Sequence, residues 1–352
     1  MANYHIEPIN LNLNSVPIPM KQHKWTVIEL FAGAGGLALG LENAGFETTV
    51  LVDNSKWACA TLKFNRPDWN VVCEDIAKMD WTNYSADIVT GGFPCQSFSH
   101  AGKRLGFEDT RGTLFFEFAR CVKTVHPKIF VGENVSGLAL HDKGRTLKIM
   151  ITVLESFGYT VQWKILDAVN YGVPQKRKRI FIVGTLPGIH FEYPEPQKGI
   201  VTLRQALKGV PPSPGAAYST ARAAIMKLVP PGGCWINLPK DVQRKYMGKS
   251  INSGGGKRGM ARRMSWDESS LTLTTSPAQK QTERCHPEET RPFTVREYAR
   301  IQTFPDSWRF EGGVGAQYLQ IGNAVPVKLA ETMGKAIIAS LEGKRKQRTL
   351  QD

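Results

Sequence analysis

The stretch Val27-Ile28-Glu29-Leu30-Phe31-Ala32-Gly33-Ala34-Gly35-Gly36-Leu37 decides the fold. Five mostly apolar residues read as a buried strand, and the apolar spacing of Leu37 to Ala44 reads as a helix, so the glycines between them turn one into the other. Outward from this unit the pattern repeats, with strands over Thr48 to Val52, Val71-Val72, Ile88-Val89 and Ile129 to Val131, and helices over Trp57 to Phe64 and Thr113 to Val125. Such alternation predicts an α/β fold with a doubly wound, Rossmann-like sheet, whose ligands sit at the carboxyl ends of the strands. Phe31, Asp53, Asp75, Pro94 and Glu133 each close or follow a strand, and so fall where a site is expected. Gly33, Gly35 and Ala38 also satisfy the dinucleotide pattern G-x-G-x-x-A, with acidic Asp53 beyond. The loop taken alone therefore leaves an NAD-dependent dehydrogenase open.

After Gly184 the character changes. Residues 187–260 are rich in proline and glycine with basic residues interspersed, as in Pro230-Pro231-Gly232-Gly233 and Gly254-Gly255-Gly256. This places a boundary near residue 186 and a smaller, irregular unit beyond it. Val327, Leu329, Ala330, Met333, Ile337 and Leu341 then return to helical spacing.

Composition narrows the class. A chain of 352 residues with 41% hydrophobic content can bury a large core. No apolar run approaches the roughly 18–20 residues of a membrane span, and residues 1–24 lack a secretory pattern, so the expectation is a cytoplasmic protein with no membrane partner. The six cysteines are scattered without C-x-x-C pairs, which predicts neither a metal site nor a disulfide framework. A formal net charge of +14 favours a polyanionic partner, nucleic acid above all.

Pro94-Cys95-Gln96 supplies the chemistry. The tripeptide follows Gly91-Gly92-Phe93 at the end of an apolar run, which presents one thiol in a loop. A lone loop cysteine is more often a small hydrophobe than a nucleophile. Its company changes that: Glu133-Asn134-Val135 and Gln175-Lys176-Arg177-Lys178-Arg179 each border a further apolar run. In order and spacing these segments, with Arg291 to Pro305 and Gln320 to Pro326, resemble the DNA (cytosine-5)-methyltransferases, over about Trp25 to Leu341 except a variable stretch near 190–290.

The resemblance implies a prokaryotic-type modification enzyme that transfers a methyl group from S-adenosylmethionine, leaving S-adenosylhomocysteine, to C5 of a flipped-out cytosine in double-stranded DNA. Cytosine C5 is a poor nucleophile, so a thiolate must first add at C6, and Cys95 takes that role. Negative charge then develops on N3 and O2. Glu133 would hydrogen-bond the cytosine edge, Arg177 would contact O2 or the thiolate neighbourhood, and Arg179 would brace Glu133 or the loop, with Asn134 and Gln175 completing the catalytic set. Alternation along Arg177 to Val183 would point both arginines to one face. For the cofactor the family implies Phe31 at the adenine or sulfonium region, Asp53 at the ribose, Asp75 and Ile76 at adenine, and Gly33, Gly35, Gly36, Asn54, Pro94, Leu114, Asn323 and Val325 around the pocket. Asp75 could otherwise be a plain helix cap.

Gln96, Ser97, Ser99, Lys103 and Arg104 form a polar loop suited to closing over DNA. Lys257, Arg258, Arg262 and Arg263, around glycines, suit phosphate contacts, against the simpler reading of a charged surface loop. The implied organisation is an N-terminal extension (1–24), a catalytic and cofactor domain (25–186), a target-recognition domain (187–295) and a C-terminal segment (296–352) whose helix over 325–341 returns to the catalytic domain. A monomer is expected, with a companion restriction endonuclease as a possible partner acting on the same site. A tRNA cytosine-5 methyltransferase is the alternative within the same architecture, and the long variable segment favours duplex DNA.

Overall fold

The computed structural model describes residues 24–94, 113–252 and 259–343. Among them, seven strands form one sheet in the order β3-β2-β1-β4-β5-β8-β6. These are β1 (Thr26–Leu30), β2 (Glu47–Asp53), β3 (Val71–Cys73), β4 (Ile88–Gly91), β5 (Ile129–Val135), β6 (Thr160–Asp167) and β8 (Lys178–Thr185). The first five pair in parallel, and the order reverses between β1 and β4. Their side chains are buried on both faces, as a sheet covered by helices requires.

Helices α1 (Gly36–Ala44), α2 (Lys56–Asn65), α3 (Leu114–Val125) and α4 (Arg145–Glu155) complete the βα units. Ser55 caps α2 by accepting from Ala58 N, and Thr113 caps α3 by accepting from Phe116 N. The last helix, α10 (Val327–Leu341), lies against α1 so closely that a Cβ on Gly40 would sit 2.3 Å from Ala330 Cβ. Leu329, Ala330, Met333 and Ile337 accordingly share a core with Val27, Leu37 and Leu41.

Two features depart from a purely parallel reading. Strand β8 is antiparallel to both β5 and β6. The link from Asp167 to Lys178 is shorter than the crossover of about a dozen residues that a parallel return needs, so β8 folds straight back along β6. The chain also stays with the large core past residue 186, because Phe191 and Tyr193 pack beside β1 and β8.

The segment beyond contains α5 (Leu203–Ala206), α6 (Thr220–Lys227), α7 (Lys240–Met247) and a short parallel pair, β7 (Gln175–Lys176) with β9 (Ser270–Leu271). Met226, Val229, Leu238, Tyr246, Met260 and Cys285 form a small separate core. Leu203, Met264, Leu273 and Phe293 instead join a core with α8 (Val295–Ile301), α9 (Val314–Asn323) and α1, which fastens this irregular region to the sheet.

Candidate active site

A cleft of about 470 Å³ opens at the carboxyl ends of β1, β2, β4 and β5, at the reversal of strand order where α/β sheets bind ligands. Phe31, Gly33, Gly36, Asp53, Asn54, Asp75, Ile76, Pro94, Leu114, Asn323 and Val325 line it, together with Glu133, Asn134, Arg177 and Arg179. Residues from nearly three hundred positions of chain thus meet in one space.

The cofactor side is built by backbone geometry. Phe31 leaves β1 at φ 57°, a left-handed conformation costly for a bulky residue and typical of functional loops. The Asp53 carboxylate accepts from Gly33 N and from Ser55 N, both at 2.8 Å, so one side chain ties the glycine loop to the start of α2. Each carboxylate oxygen keeps a free lone pair for a hydroxyl donor. Asp75 caps the 3-10 turn Ile76–Lys78 by accepting from Ala77 N, and it lines the cleft as well.

The glycines divide their work. A Cβ on Gly36 would meet Val325 O at 2.2 Å, so this position lets the two walls of the cleft close together. Gly35 precedes α1 at φ 80°, where a Cβ would lie 2.6 Å from Leu62, so it turns the chain and lets it pack.

At the other end of the cleft Glu133 is buried, and its Oε1 lies 3.1 Å from Arg179 Nε. Burial raises the Glu133 carboxyl above its ordinary range, while Arg179 and then Arg177 pull it back. A carboxyl so placed takes a proton more readily than a solvated one. Asn134 donates to Phe93 O at 2.8 Å and accepts from Val135 N, which fixes the backbone just before Pro94. Cys95, Gln96, Ser97, Ser99, Lys103, Arg104, Lys257 and Arg258 lie outside the described residues.

Three further expected residues are engaged by the protein interior. Arg177 sits between β7 and β8, not inside a strand, and its guanidinium donates to the carbonyls of Leu273, Gly322 and Ala324 at 3.2, 2.9 and 3.1 Å. Burial, then Arg179, pulls it down to about 9, and it also lines the cleft, where its buried Nε has no hydrogen-bond partner among the described residues. Gln175 is fully buried outside the cleft and bonds Gln302 and Leu273. Arg263 is turned inward, donating to the carbonyls of Val229, Met226 and His286 at 2.7, 2.7 and 3.2 Å, because the loops around it have no regular ladder. It is 4% exposed and cannot reach phosphate. Its neighbour Arg262 makes only a loose pair with Glu268 at 3.6 Å, and its buried Nε has no hydrogen-bond partner among the described residues.

Glu29 was not singled out by sequence. It lines the cleft from the centre of β1, is 2% exposed, and its Oε2 has no hydrogen-bond partner among the described residues. Burial, and then Asp53, holds its carboxyl well above the usual range. One acid inside an otherwise apolar strand was the available signal.

Sheet order, cleft and residue placement together describe a methyltransferase-type α/β enzyme. The chain belongs to the C-5 cytosine-specific DNA methylases, whose family model matches residues 25–339, and it is a DNA (cytosine-5)-methyltransferase of the prokaryotic modification type. It is similar to the type II methyltransferase M.Eco47II of Escherichia coli, 56% identical over 332 residues that cover 90% of this chain and 80% of that protein. Similarity to M.Sau96I of Staphylococcus aureus is 54% over 329 residues, covering 90% and 76%. Among solved structures, the Dnmt2 methyltransferase of S. pombe shares the fold with a TM-score of 0.63 at 16% identity, over 91% of this chain and 99% of that one. Family membership displaces the dehydrogenase reading of the glycine loop. Among the described residues no helix is long and apolar enough to cross a membrane, and no His/Cys/Asp/Glu group could hold a metal.

Proposed function

We propose that the chain modifies a specific cytosine in double-stranded DNA through a covalent adduct between Cys95 and cytosine C6, with S-adenosylmethionine as methyl donor. The observation that supports it best is the meeting, in one cleft, of Asp53 and Asp75 with the buried Glu133–Arg179 pair, beside Pro94, which Cys95 follows in sequence. The residues fit the cofactor's chemistry: Asp53 for ribose hydroxyls, Asp75 for the adenine amine, and Phe31, Leu114 and Val325 for apolar contact. Bound there, S-adenosylmethionine supplies an electrophilic methyl group.

The protein's own groups do the rest. The Cys95 thiolate forms a bond to C6, and the electron pair of the C5–C6 double bond moves toward C5 and N3. Glu133 holds the proton at N3 as charge develops, and Arg179 keeps that carboxyl oriented and responsive to pH. C5 takes the methyl as its bond to sulfur breaks and S-adenosylhomocysteine leaves, a base removes the C5 proton, and the C6–S bond to Cys95 breaks to restore the ring and the thiolate. Asn134 holds the backbone ahead of Cys95. We place the site of action in the cytoplasm on a monomeric enzyme, with a companion endonuclease cutting the same sequence.

The test uses a plasmid library carrying all short sequences. Wild-type enzyme with S-adenosylmethionine should leave 5-methylcytosine at one position of one motif by bisulfite mapping, and Cys95→Ser should leave none while still binding S-adenosylhomocysteine in calorimetry. Full-rate methylation by the serine variant, or tighter binding of NAD than of S-adenosylhomocysteine, would overturn the proposal.

A further inference from the structure

The wall of the cleft opposite the glycine loop is the end of α9, and that end has an unusual construction. A helix leaves its last carbonyls without intrahelical partners, and a glycine in left-handed conformation commonly lets following N–H groups cap them. Here Ala324 follows the helix at φ −59°, ψ 146°, and Pro326 has no N–H to offer. Ala324 N reaches the carbonyls of Gln320 and Ile321 at 3.1 and 3.3 Å. The others must find side chains.

Two buried side chains from distant parts of the chain provide them. Gln302 Nε2 donates to Ile321 O at 2.7 Å and to Ala324 O at 3.1 Å. Arg177 donates to Gly322 O and Ala324 O, placing a cation at the negative end of the helix. The Gln302 amide is itself aimed, because its Oε1 accepts from Gln175 Nε2 at 2.8 Å, and Gln175 Oε1 accepts from Leu273 N at 2.9 Å. Three amide groups therefore line up head to tail. A backbone donor fixes one end and two carbonyls fix the other, so every amide can point only one way.

We infer that Gln302, aimed by Gln175, is a positioning residue for cofactor binding: it sets the turn that carries Asn323 and Val325 into the cleft while touching no ligand itself. Neither glutamine lines the cleft, so the effect must pass through the α9 terminus. The turn has no slack to find its place alone, since Val325 O already rests against Gly36 and a Cβ on Gly322 would lie 2.5 Å from Thr274 O. The inference rests on the cofactor assignment proposed above.

Gln302→Leu keeps the bulk and removes both donors. We expect its affinity for S-adenosylhomocysteine, by calorimetry, to fall about tenfold, the loss typical of a buried hydrogen bond. The KM for S-adenosylmethionine should rise alike, with kcat at saturation and duplex binding within about threefold, a split that general loosening would not give. Gln302→Glu adds a second readout: its carboxylate repels the two carbonyls, whereas its protonated form donates to one, so its cofactor affinity should recover as pH falls while that of wild type does not. If Gln302→Leu does not fold, the glutamate variant and its pH dependence decide. Folded variants with wild-type cofactor affinity at every pH would overturn the inference. Failure of the wild-type enzyme to bind S-adenosylhomocysteine would instead overturn the cofactor assignment.

Discussion

The sheet half of the molecule and the irregular segment after it divide their arginines differently. In the sheet half some hold carbonyls, as Arg120 and Arg177 do, but Arg179 on β8 faces Glu133 across the cleft. Beyond residue 200 there is little regular pairing. Buried loop carbonyls need donors, and arginine's planar fork reaches several at once: Arg263 as above, and Arg284 onto Thr272 O and Glu283 O. Position on a basic stretch therefore says little about function there. What matters is whether the surrounding backbone is already satisfied.

The contrast breaks most sharply at Arg263. Arg263→Ala should cost about 3 kcal/mol or more of stability in urea unfolding, because several buried carbonyls lose their donor at once, and Arg263→Lys should rescue little. If instead stability holds while duplex affinity falls, the inward reading is wrong.

A loss nearly as large, but catalytic, is expected across the cleft. Arg179→Ala should reduce methyl transfer about a hundredfold with folding intact. The sign of its pH effect is fixed: burial raises Glu133 and Arg179 opposes it, so removing the arginine raises that carboxyl further. If the protonated form is the active one, the fall in rate with rising pH must move to higher pH, which a pH–rate series measures. A shift to lower pH would separate Arg179 from Glu133.

Glu29 tests what the sheet half tolerates. Its raised carboxyl contributes stability below the ordinary carboxylate range that is lost as pH rises through its folded value. Glu29→Gln should remove that loss, so its melting temperature should gain on wild type over the pH range above the ordinary carboxylate values. A constant difference across that range would mean the acid does not titrate there.

The smallest effect is expected at Arg262, the neighbour left with an unpartnered Nε. Arg262→Ala should leave stability nearly unchanged and weaken duplex binding, flattening the salt dependence by roughly 0.9 log units per log unit of salt for one lost phosphate contact. An unaltered slope would mean that Arg262 makes no phosphate contact.

Much of the cleft was legible beforehand because its residues sit in short motifs at strand ends, where the α/β rule fixes location without long-range knowledge. Asp53, Asp75, Pro94 and Glu133 fall there by strand position alone. Less legible were β6 and α4, which carry none of the motifs, and the antiparallel direction of β8, which depends on the length of a link.

The sequence by itself determined the five parallel strands, the order of the motifs and the chemistry they imply, since alternation of apolar residues and the reactivity of a thiol, a carboxyl and a guanidinium are local properties. Only the tertiary structure decided which polar groups face the ligand and which hold the backbone. Gln175, Arg177 and Arg263 read from sequence like the residues of a site, yet each is committed to atoms roughly a hundred residues or fewer than forty away, or as distant as the α9 terminus. A donor goes where an unpaired buried carbonyl is, and those carbonyls exist only once the chain has folded.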